Sequence, residues 1–394
     1  MSIELIARTV RGIEYVAADE IAGLAPVGVS LHPREVVFRV DALTPSLLAL
    51  RTPDDIFVSV GSLDGVGHRK DVVPSLARWA GGRDWRGAVD MVSGLRRLPS
   101  RYRFDVVASL LGRRNYSRFD VEDAVGAALT GTLRARYESR RDATGDIPSV
   151  DLTVRVFISG DVARFALRLG GTPLHRREYK RDAERGTLHP PIGAVLARFL
   201  AAGPSEVVVD PFCGDGTIPI EVATSSPRAD VRGSDRDPLR VRNAVTNAAR
   251  AGVPVPVTVA DAGRVDLEDG TVDVLATNPP WNLAVDVAGL LARGLGPFWD
   301  EADRVLSSGG RMGVIMDAEA SLHDELRRRG FEISLAQSVR LAGRLSEIVI
   351  CTPPGRPRWT IPRGISERRQ EAFTAGLVTD TGFEAGASAA SHSH

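Results

Sequence analysis

Three short stretches in the second half of the sequence carry side chains whose type and order suit a nucleotide-like cofactor and an amine acceptor. The first is Asp210-Pro211-Phe212-Cys213-Gly214-Asp215-Gly216-Thr217, between an apolar run and a helical one. Gly214 and Gly216 would let the backbone approach a ligand that a Cβ excludes, and the helix opening at Thr217 contributes unpaired N–H groups. A dinucleotide fingerprint asks for a third glycine three positions after Gly216; Pro219 stands there instead, which speaks against a nicotinamide pocket. Asp210 suits a cationic ligand better than a pyrophosphate, and Phe212 completes the expected loop surface. The second stretch, Gly233-Ser234-Asp235, ends the next apolar run, where a carboxylate accepts two hydrogen bonds from a ribose diol. Asp261-Ala262 follows the third run and is expected at an adenine edge. Singly, Asp235 and Asp261 are ordinary turn residues; their order behind a glycine loop is what singles them out.

The third stretch is Asn278-Pro279-Pro280-Trp281. Two prolines fix the backbone, so the Asn278 side-chain oxygen and the Pro279 carbonyl can be aimed at one planar amino group. Trp281 offers a flat face on which a base stacks, worth about 1–3 kcal/mol. Two acceptors favour the positive charge that develops as the amine attacks a methyl sulfonium. Proton loss follows transfer, so no strong general base is required.

These stretches need strand tips to hold them, and the sequence supplies them. From Pro190 onward strands and helices alternate in units of about 25 residues, the grammar of a parallel doubly wound sheet. The strands read at Glu206–Val209, Asp230–Gly233, Val255–Val259, Val272–Ala276 and Arg311–Met316, with a final pair at Phe331–Leu335 and Glu347–Cys351. Before this, residues 1–62 read as a small α+β unit. Residues 63–171 form a second unit with a helix opening near Asp120 and a hairpin turning at Gly160-Asp161. Residues 172–189 are polar and basic and read as a linker. Beyond residue 353 the composition turns to Pro, Gly, Ala and Ser, and 353–394 is expected to be disordered.

Composition narrows the class further. Apolar residues make up 43% and charged residues 25%, an ordinary soluble balance. Cys213 and Cys351 are the only cysteines, too few for a disulfide framework or a cysteine-rich zinc module, and a reducing cytoplasm fits. No metal is expected, and His392 and His394 are not read as ligands. The first sixteen residues lack a signal peptide's apolar core, and no apolar run is long enough to span a membrane. Net charge is zero, yet residues 1–190 hold 29 basic against 24 acidic side chains and the remainder 21 against 26. Arginines crowd 96–118 and again 164–185, so the first half is expected to face a polyanion. Arg176, Arg177, Lys180 and Arg181 are the expected phosphate contacts.

Together, the loop Asp210–Thr217, the acidic Asp235 and Asn278-Pro279-Pro280-Trp281 resemble the class I S-adenosylmethionine-dependent RNA methyltransferases. More narrowly, the chain is similar to those with an N-terminal THUMP domain, which methylate guanine N2 in tRNA or ribosomal RNA. The opening Ala7-Arg8-Thr9-Val10-Arg11-Gly12-Ile13-Glu14, the segment Leu174-His175-Arg176-Arg177-Glu178-Tyr179 and the entry His189-Pro190-Pro191 carry that narrower likeness. It covers about residues 1–352. Trp281 stands where the family more often has Tyr or Phe, Glu178 where it has Gly, and Asp215 where Ser is frequent.

The resemblance implies a Rossmann-like α/β methyltransferase domain over 190–352, behind a ferredoxin-like unit (1–62) and a THUMP unit (63–171). It implies S-adenosylmethionine as cofactor, held by Asp210, Phe212, Gly214, Gly216, Thr217, Asp235, Asp261, Ala262 and Asn278, with catalysis at Asn278, Pro279, Pro280 and Trp281. It further implies that a THUMP domain grips the 3′ end of tRNA, placing a guanosine of the acceptor-stem region at the site. A ribosomal RNA guanine or adenine target, including a self-resistance modification, is the alternative within the class. A nicotinamide enzyme and a vestigial RNA-binding module are the alternatives outside it.

Overall fold

A computed structural model describes residues 2–141, 149–181, 187–280, 289–292, 294–318, 322–341 and 343–378. The first half supplies β1 (Ile3–Arg8), α1 (Glu14–Ala22), β2 (Gly28–His32), β3 (Glu35–Val40) and β4 (Asp55–Asp64). There follow α2 (Val73–Gly81), α3 (Trp85–Leu95), β5 (Arg103–Leu110), α4 (Arg118–Leu133), β6 (Arg136–Tyr137), β7 (Leu152–Ser159) and β8 (Val162–Arg168). The eight strands form one sheet in the order β2-β3-β1-β4-β8-β7-β5-β6. The expected boundary at residue 62 falls inside β4, which pairs with β1 through Asp55–Val58 and with β8 through Phe57–Asp64. One strand therefore joins both units into a continuous sheet.

Local chemistry explains the elements. Val36, Phe38, Val106, Val154 and Phe165 point from the strands into a core closed by Leu76, Trp85, Val125 and Leu129 of the helices. Trp85 is fully buried and satisfies its indole N–H on the Ala80 carbonyl at 2.8 Å; such burial is worth roughly 3 kcal/mol. The helix expected near Asp120 is α4: its N-cap is Ser117, and Asp120 closes a reciprocal capping box three residues on. Gly12 takes φ +99°, which lets Glu14 turn back and accept the Gly12 and Arg34 amides at 2.8 and 2.7 Å.

The second half comprises α5 (Pro190–Leu200), β9 (Val207–Asp210), α6 (Thr217–Ser225), β10 (Asp230–Asp235), α7 (Pro238–Ala251), β11 (Val257–Val259) and β12 (Val272–Thr277). It continues with α8 (Gly296–Val305), β13 (Leu306–Asp317), α9 (Leu322–Arg328), β14 (Glu332–Leu341), β15 (Arg344–Thr352) and α10 (Arg363–Thr374). The sheet order is β11-β10-β9-β12-β13-β15-β14. Its first five strands are parallel and the β14–β15 hairpin adds antiparallel edges. Chain order reverses where β9 meets β12, the switch point at which a Rossmann-like sheet opens a crevice. Helix α7 shows why its span is sharp: Asp237 caps the Leu239 amide, Pro238 fills the first position and Gly252 ends it at φ +69°.

The expectation of disorder from residue 353 is corrected for 353–378. Ile365, Ala372 and Val378 are buried in the same core as Ile13, Val16 and Phe199, so α10 packs back on α1. Residues 379–394 lie outside the described residues. The linker is corrected as well: Tyr179 is buried and donates to Glu221 at 2.9 Å. Glu221 of α6, wholly buried, also accepts Arg51 Nε at 2.6 Å and Arg177 Nε at 2.9 Å, so the joining segment and the first half are both clamped to the second.

Candidate active site

The crevice at the β9–β12 switch point is a cleft of about 1620 Å³ whose walls come from both halves of the chain. Its floor is the β9–α6 loop and the tip of β12. Asp210 ends β9 and is fully buried. Its Oδ1 accepts the Phe212 amide at 3.0 Å and the Thr277 hydroxyl at 2.7 Å, while Oδ2 has no partner among the described residues. Burial pushes this carboxyl up to about 7, against the pull of those two bonds and with help from the nearby Asp235 charge. An ammonium brought beside Oδ2 would restore the charged form, which is what the sequence reading asked of Asp210.

Asp235, at the tip of β10, accepts the Gly214 amide on Oδ2 at 3.0 Å and the Asp237 amide on Oδ1 at 2.9 Å. Each oxygen keeps a lone pair for a diol, and burial raises its affinity for a proton. Asp261 accepts the Gly263 amide at 2.9 Å and the Leu290 amide at 3.1 Å, fixing its carboxylate at the far wall next to Ala262. Gly289 is required there, since at φ +67° a Cβ would stand 2.2 Å from Asp261 Oδ2.

The two loop glycines separate in role. Gly214, at φ +52°, would place a Cβ in open space and lines the cleft, so it can admit a ligand. Gly216 does not line the cleft, which corrects its expected role. At φ +86° its absent Cβ would lie 3.1 Å from Ala244 Cβ and 3.2 Å from Ile220 Cδ1, so it permits α6 and α7 to pack closely. Asp215 holds the same contact from the other side, accepting Arg240 Nη1 at 2.8 Å and Asn243 Nδ2 at 3.0 Å. Cys213 is buried, and its thiol is pushed well above its ordinary range by burial and three neighbouring carboxylates, so it is no nucleophile.

Asn278 follows β12 and lines the same cleft with Pro279 and Pro280; its Oδ1 is buried and has no partner among the described residues. Trp281 lies outside the described residues. Phe212 meets Phe298 edge to face at 5.1 Å and presents its remaining surface to the cleft. Thr217 lines the cleft with its hydroxyl buried and unpartnered among the described residues. The loop surface and orphaned acceptors fit S-adenosylmethionine: Asp210 for its ammonium, Asp235 for its ribose, Asp261 and Ala262 for its base.

Of the four expected phosphate contacts, Arg176 and Arg181 are exposed. Arg177 is not: its guanidinium donates to Glu221, to the Leu174 carbonyl and to the Arg51 carbonyl, and its side chain is 7% exposed. Lys180 turns inward and lines the cofactor cleft, donating to the Leu188 carbonyl. Sequence reading missed Thr277, although a hydroxyl directly before Asn278 was visible. It also missed the outer wall of the cleft, where His189 Nε2 meets Asp54 Oδ1 at 2.7 Å. Among the described residues, no helix is long and apolar enough to cross a membrane.

Residues 177–347 match the family UPF0020, described as an RMKL-like methyltransferase domain. A tRNA (guanine(6)-N2)-methyltransferase of Thermus thermophilus is 31% identical over 242 residues, covering 61% of this chain and 69% of the relative. The crystal structure of TrmN from Thermus thermophilus superposes with a TM-score of 0.70 at 26% identity, over 89% of this chain and 99% of that one. SMU.472, a putative methyltransferase solved with SAH, shares the fold at a TM-score of 0.65 and 17% identity, over 90% of this chain and 99% of that one.

Proposed function

The chain belongs to the THUMP-type, S-adenosylmethionine-dependent RNA methyltransferases, and on that premise we propose that it methylates N2 of a guanosine in the acceptor-stem region of tRNA. It is an enzyme, and S-adenosylmethionine is its methyl donor. The observation that carries the reading is the pair of buried oxygens in one cleft, Asp210 Oδ2 and Asn278 Oδ1, that have no partner among the described residues. The first calls for a cation and the second for a hydrogen-bond donor, the two things a methionine ammonium and an exocyclic amine provide.

S-adenosylmethionine supplies an electrophilic methyl group on a sulfonium. The chain's own residues do the rest by positioning. Asp210 holds the amino-acid end of the donor, Asp235 its ribose, and Asp261 with Ala262 its base, while Gly214 gives room for it. Guanine N2 carries two N–H bonds; Asn278 Oδ1 accepts one and the Pro279 carbonyl the other, with Pro279 and Pro280 keeping the backbone from turning away. Both acceptors strengthen as the nitrogen gains positive charge on forming its bond to carbon. The sulfur–methyl bond breaks as the nitrogen–carbon bond forms, its electron pair staying on sulfur, and the surplus proton then passes to water, leaving N2-methylguanine and S-adenosylhomocysteine.

A guanosine in a stem must leave its stack first, at a cost of a few kcal/mol. The net basic first half and the exposed Arg176 and Arg181 at the joining segment support an RNA path that offsets this. In this reading residues 63–171 anchor the 3′ end and so set the distance to the target. Two free, buried cysteines accord with a cytoplasmic setting.

The test is nucleoside mass spectrometry of tRNA and ribosomal RNA from cells with and without the gene, followed by transfer to transcripts with and without the CCA end. N2-methylguanosine missing from tRNA of the deletion strain, and transfer that needs the CCA end, are expected. Loss confined to ribosomal RNA, or indifference to that end, overturns the proposal.

A further inference from the structure

The donor covers the tips of β9, β10 and β11 through Asp210, Asp235 and Asp261, and Asn278 ends β12. The cleft does not stop there. The sheet continues β12-β13-β15-β14, three strand spacings or about 14 Å further, and Arg340, Leu341 and Arg344 line the cleft on that far flank. The first half of the chain closes over the same flank. Leu31 of β2 and Leu341 of β14 pack on one core, and the Tyr15 hydroxyl of α1 donates to Gln337 Oε1 of β14 at 2.8 Å. Arg34, in the turn between β2 and β3, lines the cleft from that side. Whatever trails the acceptor amine away from the donor lies here.

Two of the three arginines on this flank are uncommitted. Arg344 gives both Nε and Nη2 to Asp317 Oδ2. Arg340 is exposed and gives Nη1 to the Gly343 carbonyl at 3.0 Å, with no ion pair among the described residues. Arg34 is exposed, and its guanidinium has neither a hydrogen bond nor an ion pair among the described residues. The acids near it are taken: Glu35 by Arg8 and Arg164, Glu14 by the Gly12 and Arg34 amides. Its backbone is the second observation. His32 pairs with Glu35, so Pro33-Arg34 is a two-residue turn, and Arg34 takes φ +65°, where glycine or asparagine is the usual occupant. A strained residue whose side chain has no local partner does nothing for its turn, so its charge answers to something outside the fold. The other unpaired cations of the cleft stand elsewhere: Arg236 on the donor side between Asp235 and Gly289, Arg176 and Lys180 in the joining segment.

We propose that Arg34 and Arg340, one from each half of the chain, together clasp a backbone phosphate beside the extruded guanosine and so hold its base at Asn278. This rests on RNA being the acceptor. Guanidinium forks match phosphate oxygens in pairs, and two of them on one phosphate balance its charge without help from the joining segment. The clasp acts on extrusion itself, because a base returning to its stack draws its phosphate away from both cations. It also makes the acceptor site a product of both halves: the β2–β3 turn contributes one arginine and the β14–β15 hairpin the other.

The experiment is single-turnover methyl transfer to total tRNA from the deletion strain at saturating RNA, with S-adenosylhomocysteine affinity and thermal unfolding measured on the same preparations. Arg34→Gly removes the charge and suits the positive φ, so it should melt within about 3 °C of wild type. It should bind S-adenosylhomocysteine within about twofold, yet transfer about 10- to 100-fold more slowly, the usual worth of hydrogen bonds to a charged group. Arg340→Ala should behave alike. The double variant should lose less than the product of the two single losses, since either change already loosens the shared phosphate. Arg39→Ala, which removes an exposed arginine of β3 outside the cleft, should transfer within about twofold of wild type. Unchanged transfer by either Arg34→Gly or Arg340→Ala, losses that multiply, or an equal loss from Arg39→Ala overturns the proposal and leaves the functional reading standing. A wild-type protein that methylates no tRNA overturns that reading, and the proposal with it.

Discussion

The Thr277 hydroxyl donates to Asp210 Oδ1 at 2.7 Å across the β9–β12 switch point, so Oδ2 of the same buried carboxylate is left without a partner among the described residues. The bond ties the cofactor strand to the strand that ends in Asn278. It also fixes which oxygen is free for a ligand.

That arrangement gives a pH dependence of known sign. Burial raises Asp210 to about 7, above its unfolded value, so the folded apo-protein binds the extra proton and loses stability as pH rises from about 4 to 7. Asp210→Asn is therefore expected to unfold at higher temperature than wild type at pH 8, by about 1–3 kcal/mol, with the gap closing toward pH 4. The same variant should bind S-adenosylhomocysteine at least tenfold more weakly, and wild-type affinity should fall as pH drops below 7. Thermal unfolding and titration across pH 5–8 check both; a pH-independent difference counts against the assignment.

The two loop glycines should fail in different ways. Gly216→Ala adds a Cβ against Ala244 and Ile220 at positive φ, and should cost about 1–3 kcal/mol of stability. Gly214→Ala places its methyl in the cleft, and should cost about 1 kcal/mol of backbone strain while weakening S-adenosylhomocysteine binding several-fold. Denaturant unfolding beside ligand titration separates them.

Neighbouring arginines should also divide. Arg177→Ala leaves the wholly buried Glu221 with one guanidinium fewer, and is expected to destabilise the protein by about 3 kcal/mol. Arg176→Ala and Arg181→Ala remove exposed cations. They should leave the unfolding midpoint within about half a kcal/mol, weaken tRNA binding and reduce its log-log salt slope by about one each. An Arg177→Ala protein of wild-type stability with impaired RNA binding would reverse these roles.

The division between what was legible and what was not follows physical lines. The cofactor loop could be read because its aspartates and glycines sit within eight consecutive residues and act through local backbone geometry. Gly216 carried the same local signature, yet its constraint comes from Ala244 on α7, which no spacing rule connects to it. Arg177 and Lys180 looked like Arg176 and Arg181 because charge says nothing about burial; Glu221, which claims Arg177, lies 44 residues away. The helix at Arg363–Thr374 was hidden by its sparse apolar face, Ile365 and Ala372, whose partner α1 is at the opposite end of the chain. The boundary at residue 62 failed because β4 is longer than a single unit needs and serves two neighbours at once.

The central claim is that the Asn278 oxygen receives the acceptor amine in the cleft where Asp210 and Gly214 receive the donor. Single-turnover transfer to a tRNA transcript by Asn278→Ala, with S-adenosylhomocysteine affinity measured on the same preparation, tests it most directly. A rate lowered about 100-fold or more with donor affinity held within a few-fold is the predicted result. Transfer at the wild-type rate would contradict the account.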